Sequence, residues 1–355
     1  MLVHIIGTRP QYIKAAVVVS ALRKAGLEIL VIDTGQHYDP EMSVEIWKNF
    51  EMEAPEILIS NNENDKSNPQ LIANQIKDKI SDIFVSAIVV YGDTNSALAG
   101  AIVAGDLQIP LVHIEAGLRS FNNEMPEERN RIRIDKLSSV LFCSSETGIK
   151  NLNNEGIKGE IILSGDVMYN AFLFAQNKIP EINLEKLHSI TNKPFAVLTI
   201  HRPQNTENLT RLNNILEAME DLPFPVLWPV HPRIKKAGDF SQGKKNIYPV
   251  APQDYFTMQA LIKKSQIVFT DSGGLQKEAY WAMKPCITLR NDTEWVETLH
   301  NNWNVLTGDD KEKIISALGN YPQKETWKPL YTGNPVGIIK DYIQKFETEG
   351  YPSIK

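Results

Sequence analysis

The stretch HIEAGLRSFNNEMPEERNR, residues 113–131, holds four carboxylates, three arginines and one histidine in nineteen positions. It begins inside an apolar run, IPLVHIEA, that reads as a buried strand, so Glu115 stands where the strand ends and Glu127 follows on a charged segment. Carboxylates gathered at a strand end suit proton transfer, and Arg119 and Arg131 would offset their mutual repulsion. Glu124, Glu128 and Arg129 read as solvated neighbours. A surface helix could carry all these charges for solubility alone, so the surroundings decide.

Other chemistry-bearing residues also follow apolar runs. DSGGLQKEAYWA (271–282) comes after QIVFT and opens a helical segment. Ser272, Gly273 and Gly274 would let a phosphate approach backbone N–H groups at a helix N-terminus, where the dipole favours negative charge. Glu278, one turn inside, could accept hydrogen bonds from a ribose hydroxyl pair. The plainer alternative is a tight turn capped by Ser272. GTRPQYIKAA (7–16) is the equivalent turn after the first run, with Pro10 near a helix start and with Arg9 and Lys14 as cations. In YGDTNSALAG, Asp93 is either a helix N-cap or a further carboxylate of the site. LTIHRPQNTEN and WPVHPR put His201, Arg202 and His231 at two strand ends, and TLRNDTEWVETL adds Arg290 and Glu294. No CxxC or HExxH spacing occurs, and no metal site is expected.

These residues need strands to present them. Short β-branched runs alternate with longer helix-like segments, the pattern of βα units and parallel sheets. The first half has LVHIIG, EILVIDTG, AIVVYGD, PLVHIEA, SVLFCSS and EIILSG, and the second has FAVLTIH, PVLWPVH, NIYPVA, QIVFTD, PCITLR and NVLTG. Two sets of six predict two doubly wound α/β domains, residues 1–166 and 167–335, with a final helix over 336–355 packing back on the first. Ligands of such sheets sit beyond the carboxyl ends of the strands. Polar clusters at those ends, including Gln36 and His37, therefore point to a cleft to which both domains contribute. A nucleoside diphosphate carrying a further group would satisfy the cations and set that group beside Asp93, Glu115 and Glu127.

Composition bounds the alternatives. A chain of 355 residues, 42% hydrophobic and 23% charged, suits two soluble domains. A net charge of −6 gives no footprint for nucleic acid. Cys143 and Cys286 lie in separate apolar runs and read as reduced core thiols, as in a cytoplasmic protein. The first residues have no basic segment before their short apolar run, which argues against a signal peptide. No stretch approaches the ~18 apolar residues of a membrane span.

The chain resembles the non-hydrolysing UDP-N-acetylglucosamine 2-epimerases over nearly its whole length, in GTRPQYIK, TGQHYD, GDTNSALAG, HIEAGLRS, MPEERNR, HRPQN, HPR and DSGGLQKEA. The resemblance implies a GT-B-like fold of two Rossmann-like domains, UDP held mainly by the C-terminal one, and a homodimer. It further implies precursor supply for cell-surface polysaccharide. Catalytic positions carry over to Asp93, Glu115, Glu127 and His201. UDP contacts carry over to Arg9, His231, Ser272, Gly273, Gly274 and Glu278. The implied course is anti elimination of UDP to a 2-acetamidoglycal, reprotonation from the other face and return of UDP, with no nicotinamide or metal cofactor.

The chain also departs from the family pattern. QHYDPEMS lacks a further glutamine that typical members carry after the QH pair, and NDKSNPQLIANQ replaces a downstream Gly-Thr-His-Gly-Gln-like segment. Both argue against activation by a second UDP-sugar. Trp295 stands where an arginine is common, which is more like the branch acting on UDP-2,3-diacetamido-2,3-dideoxyglucuronic acid. There Lys14 or Arg202 would be the extra cation for the sugar carboxylate. Met258, Tyr255 or Phe256 falls where an aromatic ring stacks on uracil. The alternatives are a hydrolysing epimerase, a UDP-dependent glycosyltransferase and a non-catalytic UDP-sugar-binding regulator.

Overall fold

The structure, a computed structural model, describes residues 1–36, 40–59, 68–179, 183–231, 234, 240 and 243–353. His37, Pro232 and Arg233 of the sequence motifs lie outside the described residues. The chain divides into two compact units, Met1–Phe174 with Tyr331–Lys355, and Ala175–Leu330.

Unit 1 is built on seven strands: β1 Leu2–Ile6, β2 Ile29–Asp33, β3 Ile57–Leu58, β4 Ala87–Tyr91, β5 Leu111–Ala116, β6 Val140–Cys143 and β7 Glu160–Leu163. Its helices are α1 Arg9–Lys24, α2 Pro40–Asn49, α3 Pro69–Ile80, α4 Asn95–Leu107, α5 Pro126–Leu137, α6 Glu146–Asn154 and the start of α7 Val167–Lys178. The strands are parallel in the order β3-β2-β1-β4-β5-β6-β7. β1 and β4 are buried on both faces, which is why LVHII and AIVVY read as unbroken apolar runs. His4, within β1, is held by the Tyr91 hydroxyl at 2.7 Å.

Unit 2 continues through α8 His188–Thr191, β8 Ala196–Thr199, α9 Pro203–Thr206, α10 Leu209–Glu220, β9 Val226–Pro229, β10 Ile247–Val250, α11 Tyr255–Lys264, β11 Ile267–Thr270, α12 Gly273–Trp281, β12 Cys286–Thr288, β13 Asn304–Leu306 and α13 Lys311–Ala317. Its parallel order is β10-β9-β8-β11-β12-β13. The last helix, α14 Pro335–Glu349, belongs to unit 1, where it packs on α1. Among the described residues no helix is long and apolar enough to cross a membrane.

Two details differ from the sequence reading. The first sheet has a seventh strand, β3, whose two residues are too short to stand out as an apolar run. The division falls after Phe174 rather than Asp166, and again after Leu330. The early turns of α7 are tied to unit 1: Asp166 N donates to Tyr331 O at 3.1 Å, Asn170 Oδ1 accepts from Val336 N at 3.3 Å, and Phe174 stacks on Phe50.

Candidate functional site

In unit 1 the strand order reverses direction between β1 and β4, the switch point where open α/β sheets leave a crevice. The turn after β1 carries Arg9, partly buried in the first turn of α1, and the turn after β4 carries Asp93. Gln11 ties the two turns together: its Oε1 accepts from Thr8 N at 3.2 Å, and its Nε2 donates to Tyr91 O at 2.9 Å and Thr94 Oγ1 at 2.8 Å. Thr94, not Asp93, caps α4, accepting from Ala97 N. Asp93 is therefore released from the capping role and pairs with Arg131.

Glu115 sits one strand further on, at a break in register between β5 and β6. Its φ is 73°, in the left-handed region that costs a side chain roughly 1–2 kcal/mol. A bulge of this kind re-aims a side chain at a strand end. Here it brings Glu115 Oε1 within 2.5 Å of Lys14 Nζ. Gly92, at φ 63°, leaves room for the pair: a Cβ there would stand 3.3 Å from Glu115 Oε1 and 3.6 Å from Lys14 Nζ. Burial works against the Lys14 charge, but Glu115, Asp166 and Asp93 outweigh it and hold its pKa above the usual value.

Arg131, on α5, donates to Glu128 Oε2 at 2.6 Å and also to Asp93. Desolvation opposes its charge, and the two carboxylates more than compensate. Glu128 is not a solvated neighbour. It is buried and accepts from Ser120 N and Oγ and from Phe121 N, at 2.9 to 3.0 Å, so it anchors the 118–125 loop. Glu124, Glu127 and Arg129 are exposed. Arg119 does not face this group: Asp135, Glu155 and the Leu118 carbonyl take its guanidinium nitrogens at 2.6 to 2.7 Å. The cation beside Glu115 is Lys14, which the sequence reading had reserved for substrate.

Unit 2 has its own switch point, between β8 and β11. His201 follows β8 and Asp271 follows β11, and Asp271 Oδ1 lies 2.9 Å from His201 Nδ1. The Asp271 carboxylate also accepts from His201 N, Arg202 N and Asn205 Nδ2. Burial raises its proton affinity, yet His201 and these N–H groups prevail and hold Asp271 below the ordinary carboxylate range. His231 approaches His201 with ring centroids 6.3 Å apart.

Ser272 caps α12, its hydroxyl accepting from Leu275 N at 3.5 Å, so the turn is capped as well as glycine-rich. At Gly273 a Cβ would overlap Glu294 Oε1, so the Glu294 carboxylate, paired with Arg290, would have to move aside. Gly274 faces open space out to Ser272 Oγ at 3.9 Å. Glu278 is buried, one oxygen held by Gln259 Nε2 at 2.6 Å. Arg290 pairs with Asp292 and Glu294, leaving buried Nη1 with no hydrogen-bond partner among the described residues, as is Arg202 Nε. Trp295 lies under the Lys277 ammonium, 3.5 Å from ring centre to nitrogen. Tyr255, Phe256 and Met258 are all buried in α11. Gln36 accepts from Ser96 N and Oγ.

Sequence reasoning named Asp271 only as a strand-end residue. Its role as the partner that orients His201 became visible through the β8–β11 pairing, which joins positions far apart in the chain. Gln259, which holds Glu278 from α11, went unnamed because the two residues lie on different helices. Glu294 was named, but not its place against Gly273.

Two Rossmann-like units with polar clusters at both switch points define an α/β protein of GT-B type built to handle a nucleotide ligand. The family model described as UDP-N-acetylglucosamine 2-epimerase matches residues 20–336. The chain is 40% identical to the UDP-N-acetylglucosamine 2-epimerase homolog of Methanococcus maripaludis, over 92% of this chain and 94% of that protein. It is 39% identical to the UDP-2,3-diacetamido-2,3-dideoxy-D-glucuronate 2-epimerase of Pseudomonas aeruginosa, over 96% and 98%. The crystal structure of Methanocaldococcus jannaschii UDP-GlcNAc 2-epimerase in complex with UDP-GlcNAc and UDP is similar with a TM-score of 0.87 and 35% identity, over 98% and 99%. The chain belongs to the UDP-N-acetylglucosamine 2-epimerase family, a family of isomerases.

Proposed function

We propose that the protein inverts C2 of a UDP-linked 2-acetamido sugar without hydrolysing it, by eliminating UDP and adding it back. The observation that carries this reading is Glu115, turned out of its strand by a left-handed residue and fixed on Lys14 beside Asp93. The C2 hydrogen of such a sugar is not acidic, since no carbonyl adjoins it. As the C1–O bond breaks, its electron pair leaves with UDP, and positive charge at C1 acidifies C2–H. A carboxylate takes that proton, giving a 2-acetamidoglycal. A second residue, carrying its carboxyl in the protonated form, gives that proton to C2 from the opposite face and becomes a carboxylate, and the UDP oxygen re-forms its bond to C1. Glu115 and Glu127 are the acid and base of this scheme, with Asp93 completing the set.

Unit 2 supplies most of the UDP contacts in this reading. The α12 turn with Ser272, Gly273 and Gly274 takes phosphate, Glu278 the ribose, and His231 and Arg290 the negative charge, with Arg9 of unit 1 as a further cation. His201, oriented by Asp271, stabilises the departing pyrophosphate. The reading includes a homodimer, and sedimentation as a monomer at micromolar concentration would remove that part.

Glu115→Gln or Glu127→Gln is expected to lower turnover by roughly 10²–10⁴, with UDP affinity within a few-fold of wild type. NMR of products from a UDP-sugar separates the classes: an epimerised UDP-sugar supports the reading. A glycoside, or free sugar plus UDP, sinks it, as does wild-type turnover by both variants.

A further inference from the structure

We infer that His113 is a positioning residue for the reaction: through Asp135 and the Gly92 carbonyl it holds together the three elements that carry Asp93, Glu115 and Glu127. This inference rests on the proton-transfer reading of those carboxylates.

The geometry is specific. His113 is fully buried in β5, two residues before Glu115. Its Nδ1 lies 2.7 Å from Asp135 Oδ1 on α5, and its Nε2 lies 2.9 Å from Gly92 O in the turn after β4. Gly92 adjoins Asp93 and stands against the Glu115–Lys14 pair. Asp135 shares its helix with Glu127 and Arg131, and its other oxygen takes Arg119 Nη1 at 2.7 Å and Gly117 N at 3.3 Å, just beyond Glu115. One imidazole thus links the ends of β4 and β5 to α5.

Both atoms facing the ring are acceptors: a carbonyl oxygen has no hydrogen, and Asp135 is an ionised carboxylate. Burial opposes the Asp135 charge, but His113 and Arg119 overcome it and keep its pKa below the ordinary range. The ring is gripped at both nitrogens, so its orientation follows from the positions of these two oxygens. Arg119 in turn bridges Asp135 to Glu155. Cys143, a further titratable neighbour among the described residues, has its thiol pushed up to about 12 by burial, so it stays neutral.

A structural histidine and a positioning one differ in what their loss does to kinetics. His113→Asn and His113→Gln can each serve only one of the two acceptors. Folded variants are expected to lose roughly 100-fold in kcat, the scale of a misplacement of about 1 Å, while KM stays within threefold and UDP affinity is unchanged. A folded variant with kcat within twofold of wild type overturns the inference, as does a loss confined to KM. Glu115→Gln assayed alongside separates the two failures. If it stays active, the reading of the reaction is wrong; if it is inactive while the His113 variants are not, only the positioning role is wrong. Should both variants fail to fold, Asp135→Asn, which keeps the shape but turns an amide N–H toward the ring or toward Arg119, is assayed in their place. A kcat loss of about 100-fold at unchanged KM supports the inference, and a kcat within twofold of wild type overturns it.

Discussion

Lys14 Nζ and Glu115 Oε1 meet at 2.5 Å, joining the first helix of unit 1 to the end of its fifth strand in sheet order, with both side chains about nine-tenths buried. An ion pair in such a place favours the charged form of each partner. Lys14 thereby sets Glu115 up as a carboxylate ready to accept a proton, while Arg131 pairs with Asp93.

Lys14→Met should therefore act through Glu115. With the cation gone, the carboxylate becomes harder to ionise, so the acid limb of the kcat–pH profile moves to higher pH. At neutral pH, kcat should fall by roughly 10²-fold or more. Removing one partner of a buried pair also costs roughly 3–5 kcal/mol unless the survivor takes up a proton. An acid limb that stays in place in Lys14→Met would show that Glu115 is not the group being titrated.

Asp271→Asn tests the orientation of His201. The carboxylate accepts from the ring and from two backbone N–H groups, and an amide cannot accept at both positions. Turnover should drop by roughly 10²–10⁴. The acid sensitivity of folding should change as well. Because the folded-state pKa of Asp271 is depressed, its stabilising contribution is complete above the unfolded value near 4 and is lost as pH falls through the folded value. Denaturant midpoints at pH 7 and pH 3 should converge in the variant relative to wild type.

His4 makes a prediction away from the site. Burial, with a smaller push from Arg23, lowers its pKa to about 3. The folded state keeps the ring neutral, and the unfolded chain protonates it near pH 6.5. Below that pH the unfolded state binds the extra proton, so stability rises with pH between about 3 and 6.5, by up to about 1.4 kcal/mol per unit. Between pH 6.5 and 5 the wild type should lose about 2 kcal/mol more than His4→Gln, which keeps a hydrogen bond to Tyr91 and does not titrate. Equal losses in urea titrations would exclude His4 as the source.

The alternation of apolar runs and helical segments made both sheets legible, because strands buried on both faces must be apolar throughout. β3 was not, since its two residues, Ile57 and Leu58, carry no pattern. Residue types at the strand ends pointed to Asp93, Glu115, His201 and the α12 turn. What sequence could not rank was which cation meets which carboxylate. Lys14 took the place beside the carboxylates expected of Arg119, and Arg119 turned to Asp135 and Glu155, because a bulge at Glu115 and an acceptor at Asp135, twenty residues further on, decide the pairing. Glu128 looked like a solvated charge because its partners are backbone N–H groups of a loop, which leave no mark in composition.

The sugar itself is the last prediction. A 2,3-diacetamido uronate presents a carboxylate at C6 where UDP-GlcNAc has a hydroxyl, so its epimerase needs one cation more. Lys14 and Arg202 were the two candidates, and Lys14 is engaged with Glu115. Arg202 remains: its Nε is buried with no hydrogen-bond partner among the described residues, and its charge acts on Glu294 at the foot of the α12 turn. If Arg202 serves the C6 carboxylate, kcat/KM for the uronate should exceed that for UDP-GlcNAc by tenfold or more, about 1.4 kcal/mol in transition-state stabilisation. Arg202→Met should then cut kcat/KM for the uronate while leaving that for UDP-GlcNAc less affected, because only the charged sugar uses the guanidinium. A wild-type preference for UDP-GlcNAc of tenfold would rule the uronate out. A variant that loses both substrates equally would place Arg202 on the phosphates instead, since both substrates carry those.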